Sequence, residues 1–389
     1  MNVHTMDMSE FDKVVDRRGT GSYKWDSRQG VIPLWVADMD FPTAPCVVEA
    51  LERRVRHGIF GYTLVPDSYY DALIGWFGSR HGYCIRREEV IYTSGVVPAV
   101  SAIIKALVAP GEGVIVQTPV YNCFFSSIRN NGCVIVENPL VREDIGDMEF
   151  TYRMDFAGLE ELASKPENRM LLLCNPHNPA GRAWTEEELR KVKEICSRND
   201  VIVVSDEIHC ELVMPGFRYV PYGSIDPDAI VCLSPSKAFN TAGLQIANII
   251  CGDSEKRAKI DKAININEVC DVNPFGVEAL MASYSPQGEA WLEGLRRYLY
   301  RNYIYTREVM TSRLSCPVAT LEATYLPWVD VSSLGMTGDD IERRLLEDAR
   351  VWVNSGVMYG ADNYIRLNIA CPRTVLEEAL RRIIRSLGN

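Results

Sequence analysis

The sequence of 389 residues lacks the runs that mark several classes of protein. No stretch approaches the roughly 18 consecutive apolar residues that a membrane helix needs. No segment is rich in lysine and arginine, and acidic residues outnumber basic ones by 52 to 41. A net negative surface repels the phosphate backbone of nucleic acids. We therefore expect neither a membrane protein nor a nucleic-acid binder.

Cysteine and histidine patterns that would indicate disulfides or zinc are missing. The 12 cysteines form no Cys-x-x-Cys pair, and the five histidines lie too far apart for a local zinc motif. Scattered cysteines in a chain of this size are typical of reduced thiols. Residues 1–13 are polar and acidic, unlike a secretory signal. We expect a cytoplasmic protein without a bound metal ion.

Three nucleotide or hydrolase fingerprints are also absent. The sequence contains no Gly-x-Gly-x-x-Gly, no Gly-x-x-x-x-Gly-Lys-Ser/Thr and no Gly-x-Ser-x-Gly. These absences argue against an NAD-linked enzyme, a P-loop nucleotide-binding protein and a serine hydrolase of the nucleophile-elbow type.

The middle of the chain alternates short apolar runs with amphipathic segments. The runs predict strands over residues 114–117, 133–136, 170–174, 201–205, 230–233 and 246–251. Predicted helices cover residues 46–56, 95–107, 123–129, 185–199, 289–313 and 374–387. This alternation is typical of an α/β fold whose mainly parallel sheet is covered by helices on both faces.

The length of the chain and its loop-rich start suggest two domains. We predict a large domain over residues 46–288 and a smaller domain formed from both termini, residues 1–45 and 289–389. Thr185 and Thr374 are each followed three residues later by a glutamate, which predicts a capping box at the start of two of the helices.

Polar clusters follow three of the predicted strands, over residues 175–181, 206–209 and 234–237. Taken singly, each has an ordinary explanation as a turn, a helix cap or a solvated lysine. Ligands of open α/β sheets bind at the carboxyl ends of strands, so three clusters in order on successive strands indicate a site.

The residues of these motifs and their order along the chain resemble those of a known family. Asn-Pro-His-Asn-Pro-Ala-Gly, Ser-Asp-Glu-Ile-His and Ser-Pro-Ser-Lys-Ala-Phe-Asn resemble the fold-type I pyridoxal-phosphate enzymes of the class I/II aminotransferase superfamily. The segments at residues 17–26, 34–41, 95–98 and 364–368 resemble the MalY/PatB subgroup, which consists largely of carbon–sulfur β-lyases of the cystathionine β-lyase type. The resemblance extends over nearly the whole chain and implies the transferase-like fold of these enzymes.

The resemblance implies roles around the ring of pyridoxal 5′-phosphate. Lys237 would form the covalent link to the cofactor and then shuttle the Cα proton, which requires a lowered pKa. Asp206 would keep the ring nitrogen protonated. Asn178 would donate to the ring oxygen, Tyr121 would stack on the ring face, and His209 stands where many aminotransferases carry a tyrosine.

The phosphate group requires amides at a helix N-terminus and hydroxyl groups. The resemblance implies that the amides come from Gly95, Val96 and Val97. Ser234 and Ser236 would supply hydroxyls, and Tyr62 would reach the phosphate from the neighbouring subunit of a homodimer. Many aminotransferases have an arginine where this chain has Gln245, and the same glutamine pattern occurs in the MalY/PatB subgroup.

Substrate contacts follow from the same resemblance. Arg366 matches the arginine that pairs with the α-carboxylate, for which a guanidinium offers two parallel hydrogen bonds. Tyr62 and Ala37 are further candidates. Residues 35–41, which we call the wall segment, are expected to line the active site.

Three functions remain open on these residues. The favoured function is a carbon–sulfur β-lyase that cleaves a sulfur amino acid to thiol, pyruvate and ammonia. An aminotransferase shares the first half of that reaction, and the shared residues do not separate the two. A third hypothesis is a cofactor-binding protein with a regulatory role, against which the intact set of site residues argues. The sequence does not name the sulfur substrate.

Overall fold

A computed structural model describes residues 8–266 and 271–388. Residues 1–7, part of the segment that we predict not to be a secretory signal, and Cys270 lie outside the described residues. The strands are β1 Ile32–Pro33, β2 Val90–Thr93, β3 Gly113–Val116, β4 Val134–Glu137, β5 Val141–Gly146, β6 Glu149–Arg153, β7 Asn168–Cys174, β8 Ile202–Asp206, β9 Ile230–Leu233, β10 Ala247–Cys251, β11 Val318–Ala319, β12 Trp328–Asp330, β13 Val351–Trp352, β14 Asn354–Ser355 and β15 Tyr364–Arg366.

Helices connect most of these strands. They are α1 Tyr23–Asp26, α2 Pro45–His57, α3 Asp67–His81, α4 Val96–Leu107, α5 Asn122–Asn130, α6 Phe156–Ala163, α7 Glu186–Arg198, α8 Tyr222–Ile225, α9 Ser254–Asn265, α10 Pro274–Ser283, α11 Pro286–Leu314, α12 Gly338–Arg344 and α13 Arg373–Leu387. No helix within the described ranges is long and apolar enough to cross a membrane.

The central sheet has seven strands in the order β2-β10-β9-β8-β7-β3-β4. Strand β10 runs antiparallel to both of its neighbours, and the other pairs are parallel. The predicted α/β class with a mainly parallel sheet is confirmed. Because β7, β8 and β9 are neighbours, Cys174 pairs with Asp206 and Asp206 pairs with Cys232. The three polar clusters that follow these strands therefore start side by side.

Helices cover both faces of this sheet, as the continuous apolar strands predict. Alternate residues of one strand enter opposite cores: Met170 and Leu172 pack with α4, α5 and α9, whereas Leu171 and Leu173 pack with α6 and α7. All four side chains are almost completely buried. Burial of each aliphatic side chain contributes about 1.5–3 kcal/mol, so the sheet is a rigid platform for the residues that follow its strands.

A second sheet of six strands has the order β14-β15-β12-β11-β6-β5. Most of its strands come from the C-terminal part of the chain, but β5 and β6 lie within the range 46–288 that we predict for the large domain. The hydrogen-bonded sheet thus joins residues 141–153 to C-terminal strands. The predicted domain boundaries themselves stay a prediction.

The helix ends test the capping predictions. Thr185 and Glu188 form the predicted capping box of α7, with the Thr185 hydroxyl accepting from the Glu188 amide at 3.2 Å. The predicted cap by Thr374 is wrong: α13 begins at Arg373 after Pro372, and no side chain caps this helix in the described structure. Pro372 stands at the N-cap position, where its ring offers no acceptor for the first amides of the helix.

Candidate active site

A cavity of about 630 Å³ opens at the carboxyl ends of the central strands. The predicted site residues on its wall are Ala37, Gly95, Val96, Val97, Tyr121, Asn178, Asp206, His209, Ser236, Lys237 and Arg366. They come from seven separate stretches of the chain. The adjacency of β7, β8 and β9 brings the central ones together, and the second sheet adds Arg366 from the end of β15.

Lys237 follows strand β9 and places its amine inside the cavity. Its Nζ donates a hydrogen bond to the carbonyl oxygen of Ala37 at 2.7 Å. Burial lowers the pKa of Lys237 from 10.5 to about 8, and the positive charge of Arg366 acts in the same direction. Asp38 and Asp206 oppose this change only in part. About a tenth of the amine is therefore uncharged and nucleophilic at pH 7, far more than for an ordinary lysine with a pKa of about 10.4.

Asp206 is the last residue of β8 and is almost completely buried. Burial raises the pKa of this carboxyl from 3.8 to about 6, although the Ile208 amide and the Lys237 charge both favour the ionised form. The Ile208 amide donates to Oδ1 at 3.1 Å. The carboxylate is thus ionised at neutral pH in a poorly solvated position, where a protonated ring nitrogen would be a strong partner.

Arg366 lies in the cavity wall and is held there by three contacts. Its Nη1 donates to Oδ1 of Asn178 at 3.2 Å, and its Nη2 donates to the carbonyl oxygen of Trp35 at 2.9 Å. The guanidinium carbon lies 4.8 Å from the centre of the Tyr359 ring. The buried Nε has no partner among the described residues. An arginine fixed in this way keeps donors available for a carboxylate.

His209 and Tyr121 line the same cavity in their neutral forms. Burial, with the charges of Lys237 and Arg366, holds the pKa of His209 well below its usual range. The buried Nδ1 of His209 lacks a partner within the described part of the chain. Burial also raises the pKa of Tyr121, so its hydroxyl stays protonated. Both groups can therefore donate to or pack on a ligand without adding charge.

Helix α4 presents its N-terminal end to the cavity. Gly95 precedes the helix and Val96 and Val97 begin it, and in the described structure no side chain caps this end. The first amides are therefore available to an anion, and the helix dipole favours negative charge there. Ser236 also lines the cavity, whereas Gln245 does not.

Two predicted residues lie outside the cavity wall. Ser234 sits behind Ser236: its hydroxyl donates to the Ile246 carbonyl at 2.7 Å and accepts from the Ser236 amide at 3.1 Å. It supports the serine that lines the cavity. Tyr62 is 96% exposed and does not line the cavity of its own chain.

Part of the predicted wall segment lines the cavity, together with residues that the motifs do not reveal. In the wall segment, Trp35, Val36, Ala37 and Asp38 line the cavity as expected, whereas the remaining residues 39–41 do not. Further lining residues are Tyr23, Cys123, Asn354, Met358 and Tyr359. Several act through backbone or distant contacts, for which no local sequence pattern exists.

The donor set suits pyridoxal phosphate. A lysine of lowered pKa, a buried carboxylate, an uncapped helix end and two orphaned buried nitrogens on His209 and Arg366 surround one cavity. Within the described residues, by contrast, no cluster of His, Cys, Asp and Glu could hold a metal ion. The eleven described cysteines are free thiols.

Comparison with known proteins agrees with this chemistry. The sequence pattern of the family "Aminotransferase class I and II" matches residues 29–383. Cystathionine beta-lyase PatB of Bacillus subtilis is 38% identical over 97% of this chain and 100% of its own. Protein MalY of Escherichia coli is 34% identical over 98% of this chain and 99% of its own.

A solved structure shares the fold. Cystalysin from Treponema denticola, whose crystal structure contains a pyridoxal 5′-phosphate cofactor, superposes with a TM-score of 0.92 and 33% identity. The match covers 97% of this chain and 98% of cystalysin. The predicted resemblance to the superfamily and to the MalY/PatB subgroup is confirmed.

Proposed function

Because the chain belongs to the class I and II aminotransferase family, we propose that it is a pyridoxal-phosphate-dependent carbon–sulfur β-lyase. It cleaves a sulfur-containing L-amino acid to a thiol, pyruvate and ammonia. The observation that carries this proposal is the meeting of Lys237, Asp206, Asn178 and Arg366 in one cavity, in a chain similar from end to end to a cystathionine β-lyase.

The cavity residues would hold the cofactor at three places. Lys237 would bond to it covalently, Asp206 would pair with the ring nitrogen, and Asn178 would donate to the ring oxygen. The first amides of α4 and the Ser236 hydroxyl would hold the phosphate. When bound, pyridoxal phosphate supplies an electron sink for the electron pair left at Cα of an amino acid.

Lys237 performs the proton transfers. As a free amine, Lys237 would remove the proton from Cα, for which a pKa near 8 is well matched to neutral pH. Arg366 holds the α-carboxylate and thereby orients the Cα–H bond. The electron pair at Cα would then form a Cα–Cβ double bond as the Cβ–S bond breaks and the sulfur leaves with its bonding electrons as a thiolate. One water molecule would convert the remaining three-carbon unit to pyruvate and ammonia.

Two further properties belong to this proposal. The thiol-rich composition without disulfides among the described cysteines supports a cytoplasmic location. The exposure of Tyr62 supports a homodimer in which this tyrosine reaches the phosphate in the neighbouring subunit. A single chain would then lack one contact of its own active site.

Pyruvate formation without a 2-oxo acid tests the reaction type. Protein loaded with cofactor is incubated with L-cystathionine, and pyruvate is followed over time. Many pyruvates per site are expected, and none from the Lys237→Ala variant. Parallel reactions with L-cystine and S-substituted cysteines identify the substrate among sulfur amino acids. If no sulfur substrate yields pyruvate and the bound cofactor converts once to its amine form, the lyase proposal is overturned and the protein is an aminotransferase.

A further inference from the structure

Two donors share the carbonyl oxygen of Ala37. Lys237 Nζ donates to it at 2.7 Å, and the Tyr325 hydroxyl donates to it at 2.9 Å. A carbonyl oxygen has two lone pairs, so these two contacts satisfy it. The carbonyl lies in the cavity wall, directly beside the amine that carries out the proton transfers in the proposed mechanism.

The environment of Tyr325 keeps its hydroxyl a hydrogen-bond donor to the Ala37 carbonyl. Its side chain is completely buried, and burial with the nearby negative charge of Asp38 raises the pKa of its hydroxyl. The hydroxyl therefore stays protonated over the whole working range of pH. Its ring meets the His209 ring edge-on at 6.3 Å, which restricts its position from the cavity side.

The rest of the wall segment is anchored in the same way, through its carbonyl oxygens. Asn368 Nδ2 donates to the carbonyls of Val36 and Asp38, on either side of Ala37. Arg366 and Asn354 both donate to the Trp35 carbonyl at 2.9 Å. The Ala37 carbonyl is thus fixed by the hydrogen bonds of its two neighbours in the chain and by its own hydrogen bond from Tyr325.

We propose that the Ala37 carbonyl is the resting point of the Lys237 amine during proton transfer, and that Tyr325 is the positioning residue that holds this carbonyl in place. A neutral carbonyl suits this task because it accepts a hydrogen bond from an amine and from an ammonium group alike. A carboxylate at the same place would instead favour the charged form and hinder proton release. Lys237 can therefore change its protonation state without leaving its position.

The inference rests on the proposed function only for the proton transfer at Cα, which the lyase and the aminotransferase share. Its test uses exchange of the Cα proton of L-alanine with deuterium from the solvent, followed by NMR on the loaded enzyme. Alanine has no leaving group, so the exchange depends on Lys237 and not on elimination. If the lyase proposal fails, this measurement still decides the role of Tyr325.

Tyr325→Phe removes one hydroxyl and keeps the ring. We expect the exchange rate at saturating alanine to fall about fivefold to tenfold, the range for loss of one buried hydrogen bond, with KM changed less than about twofold. With a Cα-deuterated sulfur substrate, the isotope effect on kcat should rise, because proton removal becomes slower relative to the other steps. A lower fraction of folded enzyme would reduce kcat and leave the isotope effect unchanged.

Tyr303→Phe is the matched control. The Tyr303 hydroxyl is also buried and also donates to a backbone carbonyl, that of Ala319 at 3.1 Å, but neither residue lines the cavity. Its loss should lower stability comparably and leave both the exchange rate and the isotope effect unchanged. Equal effects of the two substitutions would overturn the proposal.

A readout independent of turnover uses the full chain freed of cofactor. The rate of covalent capture of pyridoxal phosphate is measured against pH for wild type and Tyr325→Phe. A hydrogen bond from the ammonium form to the carbonyl favours that form, so loosening the carbonyl should move the midpoint to lower pH. An unmoved midpoint together with an unchanged exchange rate would show that Tyr325 only fills space.

Discussion

The Oδ1 atom of Asn178 accepts a hydrogen bond from Nη1 of Arg366 at 3.2 Å, across 188 residues of sequence. Asn178 follows a strand of the central sheet and Arg366 ends a strand of the second sheet, so this contact joins the two sheets at the cavity. It also commits the Asn178 oxygen to the arginine. The Nδ2 amide then remains the group that can donate to the cofactor ring oxygen.

Arg366→Ala should raise KM for amino-acid substrates. A charge-assisted pair with a carboxylate in a partly buried site contributes about 2–4 kcal/mol, which corresponds to a rise of roughly 30-fold or more. Steady-state kinetics with the sulfur amino acid that the pyruvate assay identifies measures this rise in KM. Arg366→Lys keeps the charge but loses the planar fork, so it should recover only part of the affinity. An unchanged KM in the alanine variant would show that another residue holds the carboxylate.

Lys237→Ala should abolish the covalent link to the cofactor. Borohydride reduction of wild-type protein should fix pyridoxal phosphate to the chain, and mass spectrometry of peptides should locate it on Lys237. The variant should release its cofactor on denaturation after the same treatment. Lys24→Ala is the control variant, because this lysine is also buried but does not line the cavity, and its Nζ pairs with Asp40 at 3.1 Å. This variant should keep the reducible link to the cofactor. Retention of a reducible link in Lys237→Ala would contradict the assignment.

Covalent capture of the cofactor should show the lowered pKa of Lys237. The neutral amine is the reactive form, so the capture rate of the cofactor-free chain should rise with pH and level off above about 8. An ordinary lysine would continue to gain reactivity up to about 10.4. Stopped-flow absorbance between pH 6 and about 10.5 measures the midpoint. A midpoint above 10 would mean that the amine is solvated in solution.

Asp206→Asn should stabilise the cofactor-free chain while impairing the enzyme. The pKa of Asp206 is raised in the folded state, so the wild type loses stability as pH rises from about 4 to about 6 and carries the full cost above that range. The rise of the Asp206 pKa from 3.8 to about 6 corresponds to a loss of roughly 2–3 kcal/mol in the free energy of unfolding at neutral pH. Denaturant unfolding at pH 7.5 and pH 4 should show the gain only at the higher pH. A gain of equal size at both pH values would point to packing rather than charge.

Hybrid dimers should test the sharing of active sites. Neither Tyr62→Ala nor Lys237→Ala should be fully active alone. In a hybrid, one site combines an intact Lys237 with an intact Tyr62 from the other chain. Random re-association of equal amounts should therefore restore about a quarter of wild-type activity, since half of the dimers carry one complete site of two. Mixtures that show no more activity than the sum of the variants would argue against a shared site.

The location of the central site residues follows from local sequence. Lys237, Asp206 and Asn178 each follow a continuous apolar run, and runs of this kind become neighbouring parallel strands because both sheet faces must be covered. Their positions after these strands then place them side by side at the carboxyl edge of the central sheet. Arg366 is different: a three-residue strand gives little periodicity, and only the family resemblance singles it out.

The remaining contacts depend on tertiary structure and leave no local signal. The carbonyls of Trp35 and Ala37 belong to the backbone, so no residue type reports their role. The donors to Trp35, Asn354 and Arg366, lie about 320 and 330 positions away in sequence, and Tyr325, which donates to Ala37, lies about 290 positions away. The predicted cap of α13 is wrong because the helix begins at Arg373, with Pro372 at the N-cap position, so that Thr374 lies inside the first turn.

The anchoring of the wall segment by Asn368 has a consequence for synthesis on the ribosome. The carbonyls of Trp35 and Val36 accept hydrogen bonds from Asn354, Arg366 and Asn368, which are synthesised 319 to 332 residues later. A nascent chain already carries Lys237 and the complete central sheet before these three donors have been synthesised. Synthesis of residues 354–368, rather than folding of the central sheet, is therefore the event that allows this part of the cavity wall to be held in place.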